Sequence, residues 1–386
     1  MNTKIASLPC LICIVLCIFL FEIMEMFPSE LSFSYTFYSL VPIVLVAASF
    51  IYMVRNSGGI VASYSRPLII YLVMAYVLSI VHGGYQTTAQ YLTFFAPILL
   101  YYVSSIAVSS TDNENVYQMV LLALFVTIAY YYFTNFSKNI VIDFEYQDNA
   151  AYTLLYFLPI ILCVKKNVLK ICGIVIILIA MIFSMKRGGL IAFALAVLVY
   201  YLIYSLYISS QNKSRIRILL TSIIALGLFF YIFNYYDSVS GNAITSRFQS
   251  IEADQGSGRV EIWNWIFDSY GQNGSLFSTI LGHGWNAVYR DSGIRSAHND
   301  FLEILYDFGV IAVFIYITFY IKLIKYSFLL IKRKSEYAAP LGAFVVLMLT
   351  NSMVSHIITY PKYMILFTLV LGYIIPSSLI HNKINN

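Results

Sequence analysis

Uninterrupted apolar runs recur along this chain, many of them as long as the roughly 20 residues a helix needs to cross a bilayer. They limit what the chain can fold into more than any other feature. Inside a bilayer every backbone N–H and C=O has to be satisfied within the span, which leaves helices or a closed barrel. A barrel would alternate apolar and polar residues over segments of about ten. The runs here do not alternate, so the spans read as α-helices. With 11% of residues charged and 60% hydrophobic, too few charges remain to coat a water-soluble surface, where about 25% is usual. The expectation is an all-α integral membrane protein, a single polytopic domain over residues 1–386.

Twelve spans can be read, at about 7–27, 35–54, 68–82, 91–110, 116–134, 151–164, 168–184, 188–208, 216–234, 301–321, 338–355 and 362–380. The first has no small-x-small cleavage site behind it, so it reads as a retained span rather than a signal peptide. Between spans nine and ten lies one long polar loop, about 235–300. Long structured loops usually carry function. Cys10, Cys13, Cys17, Cys163 and Cys172 all sit in apolar runs. They read as small packing residues, with no disulfide framework and no metal site.

Lysine and arginine set the orientation. With the N-terminus in the cytoplasm, most of the 23 basic residues fall inside, among them Lys165, Lys166, Lys170, Lys213, Arg215, Arg217, Lys322, Lys325 and Lys332 to Lys334. Both termini are then cytoplasmic. The cations left outside include Lys186 and Arg187 in a tight turn, and Arg247, Arg259, Arg290 and Arg295 in the long loop. A net charge of +5 distributed in this way says nothing of nucleic acid, and none is expected as a partner. Membrane lipids are.

Three segments carry candidate chemistry. Ser184-Met185-Lys186-Arg187-Gly188-Gly189 opens span eight from outside. A helix start bears free N–H groups and partial positive charge, so cations there want an anion. Gln255-Gly256-Ser257-Gly258-Arg259 precedes a helix in which Val260, Trp263, Phe267 and Tyr270 fall near helical spacing, with Ile262 and Ile266 beside them. That pattern suggests an amphipathic helix on the outer interface, with Trp263 and Trp265 at headgroup depth. Arg295-Ser296-Ala297-His298-Asn299-Asp300 opens span ten with three capping residue types. It puts His298, a group able to take a proton near neutral pH, at the mouth of a helix. Asp300 and Glu303 are near enough in sequence to orient it or replace it. His283, in Gly282-His283-Gly284, reads more as a turn residue.

Two guanidinium groups suit a diphosphate, since each can grip phosphate oxygens with two N–H bonds. A nearby base suits deprotonation of a hydroxyl nucleophile. Together they point to transfer from a diphosphate-activated, lipid-linked donor at the outer leaflet. No acidic cluster of the kind a metal–diphosphate site needs is present outside, so neither a metal nor another cofactor is expected.

The order S-x-x-R-G at a span head (Ser184, Arg187, Gly188), G-R-x-x-x-W in an external loop (Gly258, Arg259, Trp263) and A-H-N-x-F-L-E before a span with an early Gly (Ala297, His298, Asn299, Phe301, Leu302, Glu303, Gly309) resembles the O-antigen polymerase and O-antigen ligase superfamily. Gly282-His283-Gly284 is similar to a glycine turn of that family. The resemblance covers roughly residues 184–310. It implies a GT-C-like, metal-independent bacterial glycosyltransferase of the inner (cytoplasmic) membrane, with its active site facing the periplasm. The donor would be an undecaprenyl-diphosphate-linked oligosaccharide, and a chain-length regulator of the same pathway would be a partner. Carried over by position, Arg187 and Arg259 hold the diphosphate and His298 is the catalytic group, with Lys186, Arg295, Asn299, Asp300, Glu303 and His283 in support. The polymerase is the favoured member and the ligase the alternative. A lipid-linked oligosaccharide flippase is the rival from another class, disfavoured because ionisable groups inside the spans are few and no internal repeat is visible.

Overall fold

A computed structural model describes residues 66–82, 111–139, 150–184, 186–208, 255–272, 275–294, 296–355, 357 and 361–384, together with isolated positions between 227 and 249. The expected spans at 7–27, 35–54 and 91–110, and nearly all of 216–234, lie outside these residues, as does Arg295. Among the described residues all regular structure is helical: α1 (Arg66–Val81), α2 (Thr111–Asn139), α3 (Ala150–Tyr156), α4 (Leu158–Cys163), α5 (Asn167–Phe183), α6 (Arg187–Ile203), α7 (Gln255–Gln272), α8 (Leu276–Leu281), α9 (Ala287–Ser292), α10 (Asp300–Lys332), α11 (Ala338–Val354) and α12 (Pro361–Ile384). A π-helical turn, Tyr204–Ile208, extends α6.

Among the described residues three helical stretches are long and apolar enough to cross a membrane, Glu114–Thr134, Arg187–Ile208 and Asp300–Lys332. Their burial is the reverse of a soluble helix. On α6 the exposed stripe is Ile191, Leu195, Leu198 and Leu202, while Gly189, Ala192, Phe193, Ala196 and Tyr200 face inward. On α10 the exposed stripe is Ile311, Phe314, Ile317, Ile321, Ile324 and Phe328, and Ala312, Tyr316, Tyr320, Tyr326 and Ser327 are buried. Aliphatic residues outward and small or hydroxyl-bearing residues inward is what lipid as solvent selects, because packing and polar contacts, not water exclusion, hold such helices together. Tyr316 and Tyr320 both meet Ser352 at 2.8 Å, and Tyr326 meets Ser378 at 2.6 Å. Much of the tyrosine content is therefore internal glue.

Two boundaries differ from the sequence reading. Span 151–164 is interrupted at Phe157, between α3 and α4, where Pro159 cannot donate to the preceding turn. Span 301–321 continues to Lys332, since Lys322 and Lys325 are good helix formers with no breaker among them. That helix is itself broken at Gly309 (φ 76°, ψ 179°).

α6 packs most extensively on α11, and α10 packs on both α1 and α11. At one end of the bundle the start of α6 lies against the end of α11 and the start of α3. The start of α10 lies there too, against the turn after α11. This end carries all three sequence motifs.

Candidate functional site

Arg187 is the first residue of α6, half-buried, and Lys186 precedes it in extended conformation without a side-chain cap on the helix. Gly188 and Gly189 permit close approach, but the partner is the protein itself. A Cβ on Gly188 would come 2.9 Å from Val354 Cγ2 and 3.6 Å from the Tyr152 hydroxyl. One on Gly189 would come 2.8 Å from Met181 Sδ. The missing side chains at these two positions serve helix packing. Tyr152, on the first turn of α3, sits over the α6 start, with its hydroxyl beside the Gly189 amide and the Ser355 side chain.

Arg259 is half-buried in α7. The helix is assigned from Gln255, ahead of where the glycines suggested, but Gly258 is left-handed (φ 74°), so a kink immediately precedes the arginine. Its guanidinium lies within electrostatic reach of the Tyr152 hydroxyl. Tyr152 thus neighbours both the helix start that bears Arg187 and the arginine of the second motif.

The apolar residues of α7 divide between a buried and an exposed face. Ile262 and Ile266 are fully buried, with Trp263, Trp265 and Tyr270 beside them, whereas Val260 and Phe267 are exposed. The i, i+4 isoleucine pair wins the packing because Ala287, Val288, Ala297 and Tyr306 offer it an apolar seat. Trp263 donates its indole N–H to the carbonyl of Ala297 at 2.8 Å. The second motif therefore grips the third.

His298 stands in the left-handed region (φ 50°), half-buried, and the chain on both sides of it is held. The Ala297 amide donates to Glu303 Oε2 at 2.5 Å. Asn299 is the N-cap of α10, its Oδ1 accepting from Phe301 and Leu302, and its Nδ2 donates to the Met353 carbonyl at 3.1 Å. Asp300 is buried. Its carboxylate takes the Ile357 amide at 2.9 Å, the Ser352 hydroxyl at 2.8 Å and the Tyr316 hydroxyl at 3.3 Å. Glu303 thus braces the backbone just ahead of His298, and Asp300 ties the start of α10 to the end of α11.

A further brace went unread. Asp307, fully buried, accepts the amides of Asn286, Ala287 and Val288 at 2.7, 2.9 and 3.2 Å and so holds the start of α9. The break at Gly309 turns the carbonyls of Tyr306 and Asp307 toward the loop, where they accept from His283 and Gly284 at 3.1 and 2.8 Å. Gly282 and Gly309 face each other's backbone across this seam. A Cβ would come 2.3 Å from the Asp307 oxygen or 2.2 Å from the Ile280 oxygen, and both residues have positive φ. Two glycines 27 residues apart, one closing a helix and one inside an apolar run, were the signal that could have found it. His283 stacks on Tyr306 (centroids 4.4 Å apart), its Nδ1 3.1 Å from the Tyr306 carbonyl. It is part of the seam, as its turn sequence suggested. Arg290 is clamped by Asp291 at 2.7 and 3.2 Å, a hydrogen-bonded pairing that raises its already high pKa.

Among the described residues no group of three or more His, Cys, Asp or Glu could hold a metal ion. Residues 172–317, which include all three motifs, match the family model described as O-antigen ligase. Members of that family are glycosyltransferase-like enzymes. No significant match was found among curated proteins.

Proposed function

We propose that this chain, which its match at residues 172–317 supports as a member of the O-antigen polymerase and ligase superfamily, is a polysaccharide repeat-unit polymerase of the bacterial inner membrane. In this reading both termini are cytoplasmic and the motif end faces the periplasm. The observation that carries the site is the meeting of motifs. Arg259 and the start of α6 share Tyr152 as a neighbour, and the Trp263 indole holds the segment that presents His298.

The reaction follows from these groups. A hydroxyl of one undecaprenyl-diphosphate-linked repeat unit attacks the anomeric carbon of the glycan on another. A new C–O bond forms as the bond from that carbon to the diphosphate oxygen breaks. Undecaprenyl diphosphate leaves, its developing charge met by Arg187 and Arg259, with Lys186 and Arg295 adding positive potential. His298 takes the proton of the attacking hydroxyl. No step calls for a metal.

Purified protein incubated with lipid-linked repeat units in the presence of a chelator should lengthen them. Transfer to lipid A-core without lengthening would make it a ligase. Movement of the lipid-linked sugar across vesicles with neither product would make it a flippase and end the enzymatic reading.

A further inference from the structure

One helical turn inside the bundle from Tyr152 and Ser355 lie two polar groups with unused bonding capacity. Tyr156 is 2% exposed and Asn351 0%. The Tyr156 hydroxyl, and both the nitrogen and the oxygen of the Asn351 carboxamide, have no hydrogen-bond partner among the described residues. A buried polar atom left without a partner destabilises the fold, so a site that keeps three of them has a use for them. Their positions are tied together. Tyr156 follows Tyr152 by one turn of α3, their rings 6.4 Å apart, and its hydroxyl is within electrostatic reach of Asp300 and Tyr320. Asn351 precedes Ser355 by one turn, its carbonyl taking the Ser355 amide at 2.7 Å, and it adjoins Ser352, which bonds Asp300 and Tyr320. Tyr363 closes the side, 5.0 Å from the Tyr156 ring.

The chemistry of the unused groups selects the ligand. A phosphate offers acceptors alone and would be repelled by the carboxamide oxygen. A sugar hydroxyl both donates and accepts, which a phenol and a carboxamide can match together. We infer that Tyr156 and Asn351, behind Tyr152, hold hydroxyls of the sugar ring joined to the diphosphate. This rests on the reading of Arg187 and Arg259 as the diphosphate grip.

The test compares two probes on purified protein, undecaprenyl diphosphate bare and bearing one repeat unit, by the shift each gives in thermal unfolding. The sugar-bearing probe should stabilise the wild type more than the bare one. Tyr156→Phe and Asn351→Leu should remove that difference while keeping the response to the bare probe. Unliganded, both variants should melt at or above the wild-type temperature, because each deletes an unsatisfied polar group. Arg187→Ala should lose the response to both probes. If it keeps both, the diphosphate grip is wrong. If it loses both and Tyr156→Phe and Asn351→Leu keep the sugar-dependent difference, or the wild type shows none, the sugar subsite is wrong. A fall in unliganded melting temperature for both variants would show groups satisfied within the fold, and would equally overturn the inference.

Discussion

The indole N–H of Trp263 points at the carbonyl of Ala297, 2.8 Å away, and so ties the helix of one motif to the residue before His298 in another. Trp263→Phe keeps most of the ring and removes the donor. The carbonyl would lose its partner at a cost of about 1–3 kcal/mol. Elongation should fall about tenfold or more with the protein still folded, seen as retained monodispersity and a modest drop in melting temperature. Full activity in this variant would mean that the hold on His298 does not matter.

Arg187→Ala, Arg259→Ala and His298→Ala should each lower elongation by about ten- to a hundredfold, as loss of one charged contact of about 1.5–3 kcal/mol would do. Polymer ladders on a gel provide the measurement. Ladders of normal length from all three would remove these residues from the site.

Gly282→Ala and Gly309→Ala should be far more damaging to stability than to any single contact. Each forces a side chain into a positive-φ position and into backbone at 2.3 or 2.2 Å. That positive-φ, extended region is open almost only to glycine and alone costs about 1–3 kcal/mol, and the backbone overlap adds to it. Gly293, also at positive φ but with open space around it, gives the comparison: Gly293→Ala should show the strain without the clash. Equal melting temperatures for the three would contradict the seam.

Asp307→Asn should loosen α9 and the turn before it. A carboxylate accepting three backbone amides is replaced by a group with one acceptor oxygen and an NH₂ that faces donors. Faster hydrogen exchange at residues 286–288 than in the wild type is the expected outcome. Unchanged protection there would show that the cap holds without the charge.

The sequence pattern made the apolar helices readable, because lipid demands long runs and tolerates few exceptions. The α10 start was readable too, from Asn299 as a cap type. What sequence spacing could not convey was where a carboxylate points. Asp300 and Glu303 stand near a histidine in sequence, and spacing alone did not show that they also bind Ile357, Ser352 and the Ala297 amide. Asp307 lay inside an apparent span and drew no notice. On α7 two apolar stripes lie side by side in the sequence, and the seat provided by Ala287, Val288 and Tyr306 decides that Ile262 and Ile266 are the pair buried against the loop.

The break at Gly309 divides α10 into a short strut and a long post. The strut is bolted to α11 and the turn after it at one end, through Asn299 and Asp300, and to the 283–288 loop at the other, through Tyr306 and Asp307. His298, one residue before the strut's cap, is therefore tied in place from two sides at once.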